Sequence, residues 1–403
     1  MNNVSRGLRL LDGVRVISLE QYISGPYCTS LLTDLGAEVF KIERPDGGDP
    51  RRNYEPSVGQ GPEKISHGFA SYNRGKKSVT LDITSPSGAA SLQERLAAAD
   101  VLVSNLRPGI LARLGLEPAE LTERFPCLIV CEISGFGVTG GPYARRPAFD
   151  SVIQAMSGLS SLIGAAPEAP PGLAPMATMD LLSGLYAAVG ILAALAGRAR
   201  TGRGCHVDTA MYDVGAAFLE RPLTVHEFTG TVPTRGHDAF SPVATFRAAD
   251  QRWIAIVIPT DEMWRRTCQA IGREDLVTDP ALDTSLKRAG AMTTRIVPVL
   301  EQWAAQYDAD KAIAILDSSG MPAGVVQAID EVRTCPQLAH RGLFTPMPDD
   351  VARRPDGSRL SLPRLPVMFD GRGAAPGPVP ALGENADDWE ALSAHQRQSA
   401  TPQ

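Results

Sequence analysis

The stretch from Ala174 to Gly197, APMATMDLLSGLYAAVGILAALAG, constrains the fold more than any other part of this chain. One carboxylate, Asp180, stands near its start, and the residues after it are apolar or small for roughly four helical turns. A segment apolar nearly all round reads as a helix buried in a core. Thr178 is the expected N-cap, which puts Asp180 in the first turn, where the macrodipole and free backbone N–H groups stabilise its charge. Gly184 and Gly190 weaken helix propensity, so they point to close approach by another part of the chain. Arg198, Arg200 and Arg203 cluster at the far end, where Gly202 and Gly204 break the helix. A first-turn aspartate can serve the helix dipole alone. An ionised, partly buried carboxylate aimed at a pocket suits nucleophilic or acid–base chemistry instead. This segment by itself leaves both readings open.

Length and composition narrow the field. The 403 residues suffice for two domains with separate cores. A hydrophobic fraction of 43% and a charged fraction of 21% are those of a globular protein, and the net charge of −6 argues against nucleic-acid binding. Cys28, Cys127, Cys131, Cys205, Cys268 and Cys335 form no C-x-x-C pair, and the N-terminal residues lack a signal-peptide apolar region, so a cytoplasmic location is expected. Residues 181–197 are short and rich in Ala and Gly for a membrane span, and they come directly after an acid; they are expected in a core, with no membrane association.

Strands and helices alternate before this stretch. Val14–Leu19 reads as a strand, Tyr27–Leu35 as a helix closed by Gly36, and Ala37–Ile42 as the next strand, a βαβ unit with a right-handed crossover. Further strands are expected at Ser78–Asp82, Asp100–Asn105 and Leu128–Ile133, with helices at Pro86–Ala99, around Arg113 and at Asp150–Gly158. The fold class is therefore α/β, with ligands at the carboxyl ends of the strands. The loop Glu20–Pro26 has one glycine and no G-x-G-x-x-G, which weakens a dinucleotide-binding reading. Basic residues gather in the loops: Arg44, Arg51 and Arg52 around the long segment 45–62, then Arg74, Lys76 and Lys77. They are either a solvated face or an anion site for phosphates. His206–Asp213 leads into another helix. From about residue 221 a second, small unit is expected, with strands at Trp253–Ile258 and Pro322–Gln327 and helices at Asp261–Ile271, Thr293–Gln306 and Asp310–Ser318. Residues after 340 carry few regular signals.

A series of short motifs runs through the chain: Leu11-Asp-Gly-Val-Arg-Val, Gly25-Pro26, Asp34-Leu-Gly-Ala-Glu-Val-Phe-Lys-Ile-Glu-Arg44-Pro, Asn73-Arg-Gly-Lys76-Lys-Ser, Asn105-Leu-Arg-Pro-Gly, Ser134-Gly-Phe-Gly, Asp180-Leu-Leu-Ser-Gly-Leu-Tyr-Ala and Thr201-Gly-Arg-Gly. In this order and spacing, over nearly the whole length, the chain resembles the class III CoA-transferases, the formyl-CoA and carnitine CoA-transferase (CaiB/BaiF-type) family. The resemblance implies a Rossmann-like large domain from residues 1–220 and a returning segment 331–403. It also implies a small α+β domain at 221–330 and an interlocked, ring-like homodimer. It places the family's acyl-accepting aspartate on Asp180, with an acyl-CoA and a small carboxylic acid as substrates, no tightly bound cofactor and no metal. The implied route passes through a mixed anhydride and an aspartyl-CoA thioester. By the same resemblance Arg44 meets the adenine and ribose-phosphate end of CoA, Asn105 and Arg113 contact CoA, and Lys76 or Lys77 meets the phosphates. Gln21 and Ile23 lie near the thioester, with Leu106 and Phe149 lining the same site.

Departures from the family pattern bear on the substrate. Ile23 stands where formyl-CoA transferases carry a glutamine, Leu106 replaces a frequent aromatic, and Arg235–Ser241 matches no family flap; these argue against formyl or oxalate specificity. The nearest alternative is a 2-methylacyl-CoA racemase, which carries a histidine where this chain has Phe149, directly before Asp150. A phenyl ring cannot carry a proton. Retention of Asp180 in an apolar setting disfavours a non-catalytic CoA-binding protein, and hydrolysis as a side reaction stays open. Arg145, Arg146 and Arg235 are either solvent-facing charges or holders of a second carboxylate, such as that of succinate.

Overall fold

The computed structural model describes residues 9–59, 61, 64–236, 240–347, 353–354 and 356–392. Short β-branched runs form a six-stranded sheet: β1 (Arg15–Leu19), β2 (Glu38–Glu43), β3 (Lys77–Thr80), β4 (Val101–Ser104), β5 (Ile129–Ser134) and β6 (His206–Ala210). The order is β3-β2-β1-β4-β5-β6, and every neighbouring pair is parallel. This is the order of doubly wound sheets, whose chain direction switches between β1 and β4. Alternate residues feed two cores. Val16, Val39, Val101 and Ile129 face one, with α1 (Ser24–Asp34); Ile17, Phe40, Leu102 and Val130 face the other, with Leu92 and Leu96. β6 was not anticipated, because His206-Val-Asp-Thr-Ala is a half-exposed edge strand without an apolar run.

The long apolar segment is helical from Thr178 to Thr201 (α3), following α2 (Asp150–Met156). Thr178 is its first helical residue; Ala177 takes the N-cap position, with no side-chain bond. The helix is not buried all round. Met179, Ser183, Gly184, Ala187, Ala188 and Ile191 are buried, whereas Tyr186 and Val189 remain 48% and 55% exposed. Its buried face is small at Ser183, Gly184, Ala187 and Ala188, and α1 lies close to it. A Cβ on Gly184 would sit 2.6 Å from the Ser24 carbonyl oxygen and 3.1 Å from the Cys28 nitrogen, and one on Gly190 would sit 2.8 Å from Val207 Cγ1. α3 is also long and apolar enough to cross a membrane by length and composition.

Contacts divide the chain into two units. The first holds residues up to Leu159, Leu173–Leu219 and the chain from Pro336 onward. That last segment is pinned to the sheet: Leu365 N donates to Asp34 Oδ2 (2.6 Å), Ser78 N donates to Asn385 Oδ1 (3.0 Å), and the Trp389 ring packs on Phe40. The second unit holds Ser160–Gly172 and Glu220–Cys335. Its antiparallel sheet, ordered β9-β8-β7, comprises β7 (Val243–Arg247), β8 (Trp253–Val257) and β9 (Ala323–Val325). Trp264, Leu300, Trp303 and Leu316 fill its core. Thr293–Gln306, read from the sequence as one helix, begins as a π-helical turn, Met292–Ile296, and continues as an α-helix over Val297–Ala304.

The α1–α3 crossing yields a test. Gly184→Ala adds intrinsic helix propensity of up to about 1 kcal/mol, yet its methyl must push against the α1 backbone. The expected net result is a loss of roughly 1–3 kcal/mol in denaturant unfolding. A more stable variant contradicts the close approach.

Candidate active site

The site is built at the first turn of α3. Asp150, the first residue of α2, reaches across to it: Oδ1 accepts from Met179 N at 2.6 Å and from Asp180 N at 3.3 Å. Asp150 Oδ2 accepts from Gln154 Nε2 (2.6 Å), and Gln154 Oε1 accepts from Ala174 N (2.9 Å), which fixes the chain entering α3. Asp150 therefore supplies the cap expected from Thr178. The consequence for Asp180 reverses the sequence expectation. The helix donors that were to stabilise its charge are occupied, and burial, followed by the Asp150 charge, pushes its carboxyl up to about 7 against the opposing pull of Arg51.

Arg51 sits on a 3-10 turn, Pro50–Asn53, capped by Asp49, whose Oδ1 accepts from Arg51 N at 3.0 Å. Its Nε donates to the Gly68 carbonyl (2.8 Å), and its guanidinium lies 4.8 Å from the Tyr54 ring centre and 5.4 Å from that of Tyr72. Tyr72 meets Tyr27 edge-on at 6.2 Å, and Tyr27 Cδ1 is 3.1 Å from where a Gly184 Cβ would stand. Gly184 lies one turn beyond Asp180 on the same face of α3. Burial raises the Tyr72 hydroxyl pKa, and the Asp180 charge adds to the rise.

Beneath these loops lies a buried charge network. Lys41 Nζ donates to Asp49 Oδ2 (2.9 Å) and the Glu20 carbonyl (3.1 Å). Lys76 Nζ donates to Glu20 Oε1 (2.7 Å), the Pro26 carbonyl (2.9 Å) and Asn73 Oδ1 (3.0 Å). Burial draws Lys76 down to about 8, with Glu20 opposing. Burial pushes the Glu43 carboxyl up, but Arg52, Lys41 and Ser78 outweigh it and hold it at about 2. The three protons of Lys76 are thus fully used, so the expectation that it meets phosphates is corrected: it is a structural ion. Lys77 is likewise paired, with Glu38 and Asp388.

The remaining expected residues divide into groups. Gln21, Arg44 and Leu106 line one recess of about 50 Å³ at the carboxyl ends of β1 and β2, with Leu19, Ile42, Leu81 and Ile83. Asn105 bridges the switch point: its Oδ1 accepts from Gln21 N (2.8 Å), and its Nδ2 donates to the Gln21 carbonyl (2.7 Å) and Ser24 Oγ (3.2 Å). Ile23 is the half-buried N-cap of α1. Phe149, 58% exposed, meets the Tyr22 ring edge-on at 5.9 Å. Arg113 is exposed, ends the short helix Ile110–Arg113 and stands outside the recess. Arg235 is not available to a substrate: it donates to the carbonyls of Ala169, Ser161 and Pro167 in its own unit. Arg146 stacks on Tyr143. Of the loop Arg235–Ser241, residues 237–239 lie outside the described residues. The sequence singled out Asp150 only by its place after Phe149, and Arg51 only as one basic residue among several. The Asp-Pro-Arg turn is the local signal for the latter.

Comparison with known proteins places the chain. The model of CoA-transferase family III matches residues 11–386. An acetyl-CoA:oxalate CoA-transferase of Acetobacter aceti is 36% identical over 83% of this chain and 85% of its own length. A succinate–glutarate CoA-transferase of Agrobacterium fabrum is 31% identical over 97% of this chain and 98% of its own. The crystal structure of a CAIB/BAIF family protein from Brucella suis superposes with a TM-score of 0.81 at 30% identity, covering 96% of this chain and all of that one.

The raised carboxyl gives a signed stability test. At about pH 3 and below, Asp180 is largely protonated whether folded or unfolded. Between about 4 and 7 the unfolded chain ionises first, so ionisation favours unfolding; above about 7 the penalty is complete. Asp180→Asn is therefore expected to stabilise the fold by a few kcal/mol at about pH 8 and hardly at all at about pH 3. Thermal melts at both pH values check this; equal shifts at both contradict the raised carboxyl.

Proposed function

The chain belongs to CoA-transferase family III and is a CoA-transferase, and from that premise we propose that Asp180 carries first the acyl group and then CoA. The Asp180 carboxylate attacks the donor thioester carbonyl and the CoA thiolate leaves, giving a mixed anhydride. The thiolate attacks the aspartyl carbonyl, releases the donor acid and forms an aspartyl-CoA thioester. The acceptor carboxylate attacks that thioester, and the freed thiolate takes the new acyl group from the second anhydride, regenerating Asp180. The observation that carries this reading is the placement of Asp180: a half-buried carboxylate with a pKa of about 7, backed by an apolar helix and faced by one arginine. A carboxyl poised there is ionised often enough to attack at neutral pH.

In this reading Gln21, Arg44 and Leu106 contact CoA at the carboxyl ends of β1 and β2, with Arg113 as an outlying phosphate contact. Asn105 holds the Gln21–Ser24 loop, and Ile23 and Phe149 flank the thioester. CoA enters as substrate, with no tightly bound cofactor and no metal. The Rossmann-like first unit binds CoA, and the second unit, Ser160–Gly172 with Glu220–Cys335, is the small domain expected at 221–330. The exposed apolar face of α3 at Leu185, Tyr186 and Val189 suits burial against a second copy, as in an interlocked, ring-like homodimer in the cytoplasm. The acid is a dicarboxylate. Two relatives carry names with oxalate, succinate and glutarate, which returns oxalate to the candidates that Ile23 and Leu106 argue against.

A racemase needs two opposed acid–base groups. Phe149 offers none, and Asp150 is engaged as the helix cap. The deciding experiment is a matrix of acyl-CoAs against free acids, with products resolved by mass, run in deuterated water with a 2-methylacyl-CoA included. New thioesters without label at the α-carbon are expected, and Asp180→Asn should lower transfer by several orders of magnitude. Label uptake without any acceptor acid, and no new thioester, favours the racemase.

A further inference from the structure

We propose that Arg51 recognises the second carboxylate of a dicarboxylic acyl group and so sets the preference for dicarboxylic over monocarboxylic acids. This rests on the transferase reading of Asp180. The side chain is held on three sides: Asp49 accepts from its backbone N–H, Gly68 accepts from Nε, and the Tyr54 and Tyr72 rings flank the guanidinium. Its terminal Nη nitrogens have no hydrogen-bond acceptor among the described residues. A fixed, half-buried fork with free donors matches a carboxylate in two-point geometry.

The neighbourhood fits that role. Arg51 and Asp180 feel each other's charge yet form no ion pair within 4.0 Å, so the guanidinium is not spent on the nucleophile. A short diacid can present one carbonyl to Asp180 and its far carboxylate to Arg51. Of the three arginines that the sequence offered for this task, Arg235 is consumed by carbonyls, Arg146 lies against Tyr143, and Arg145 is exposed. Tyr27 and Tyr72 pack between α3 and Arg51, so the spacing of the two groups is set by packed rings.

Succinyl-CoA and butyryl-CoA differ only at the far end of a four-carbon chain, and this makes them the probe pair. Assays at about pH 9 keep Asp180 ionised in every variant. The wild-type protein should favour succinyl-CoA in kcat/KM, and Arg51→Gln should reduce the succinyl-to-butyryl ratio by about 100-fold, mainly through KM. Arg51→Lys, which keeps a point charge, should retain part of the ratio. A ratio unchanged in both variants, or a wild-type preference for butyryl-CoA, overturns the assignment. A structural or CoA-binding role would lower both activities together and leave the ratio alone. Absence of transfer from either donor to any acid contradicts the transferase reading itself, and the Arg51 inference falls with it.

Discussion

One helix terminus serves two carboxylates, and the site depends on which of them receives its donors. Asp150 takes the Met179 and Asp180 N–H groups, so the charge-stabilising end of α3 is spent on a residue of α2. Asp180 is left half-buried beside a second negative charge, and its carboxyl rises to about 7. Burial is the larger cause of that rise, and the carboxylate that fixes the start of the helix adds to it.

The loops around Asp180 are held from below by ions. Lys41 and Lys76 have no exposed side-chain atoms, and each is matched by acceptors from segments that sheet topology alone would not bring together. Glu20 joins the end of β1 to Lys76, and Asp49 joins Lys41 to the turn that carries Arg51. Buried pairs of this kind are weak arguments for stability, because desolvation offsets most of their attraction. Their effect here is positional. They tie the Gln21–Ser24 loop and the Arg51 turn to one anchor.

Much of the sheet was legible in the sequence because parallel strands are buried on both faces and leave short apolar runs, as in Val101-Leu-Val103. Gly184 and Gly190 were legible for a related reason: a glycine inside a helix needs a neighbour to explain it. What escaped was set by partners distant in sequence. β6 is an edge strand with polar residues, Arg235 is engaged by carbonyls more than sixty residues away, and the paired state of Lys76 depends on Glu20. The outer face of α3 escaped because its composition is as apolar as its inner face. At the site itself, Asp180 could be found by its position, whereas Asp150 and Arg51 acquire meaning only when α2, α3 and the 45–62 loop are seen together.

The central claim is that Asp180 becomes covalently acylated. Mixing the protein with an acyl-CoA and quenching with hydroxylamine converts an aspartyl anhydride or thioester to an aspartyl hydroxamate, releasing the acid or CoA. Peptide mass spectrometry should then find the hydroxamate on Asp180, dependent on acyl-CoA. Steady transfer with Asp180 unmodified, or with the modification on another carboxylate, contradicts the account.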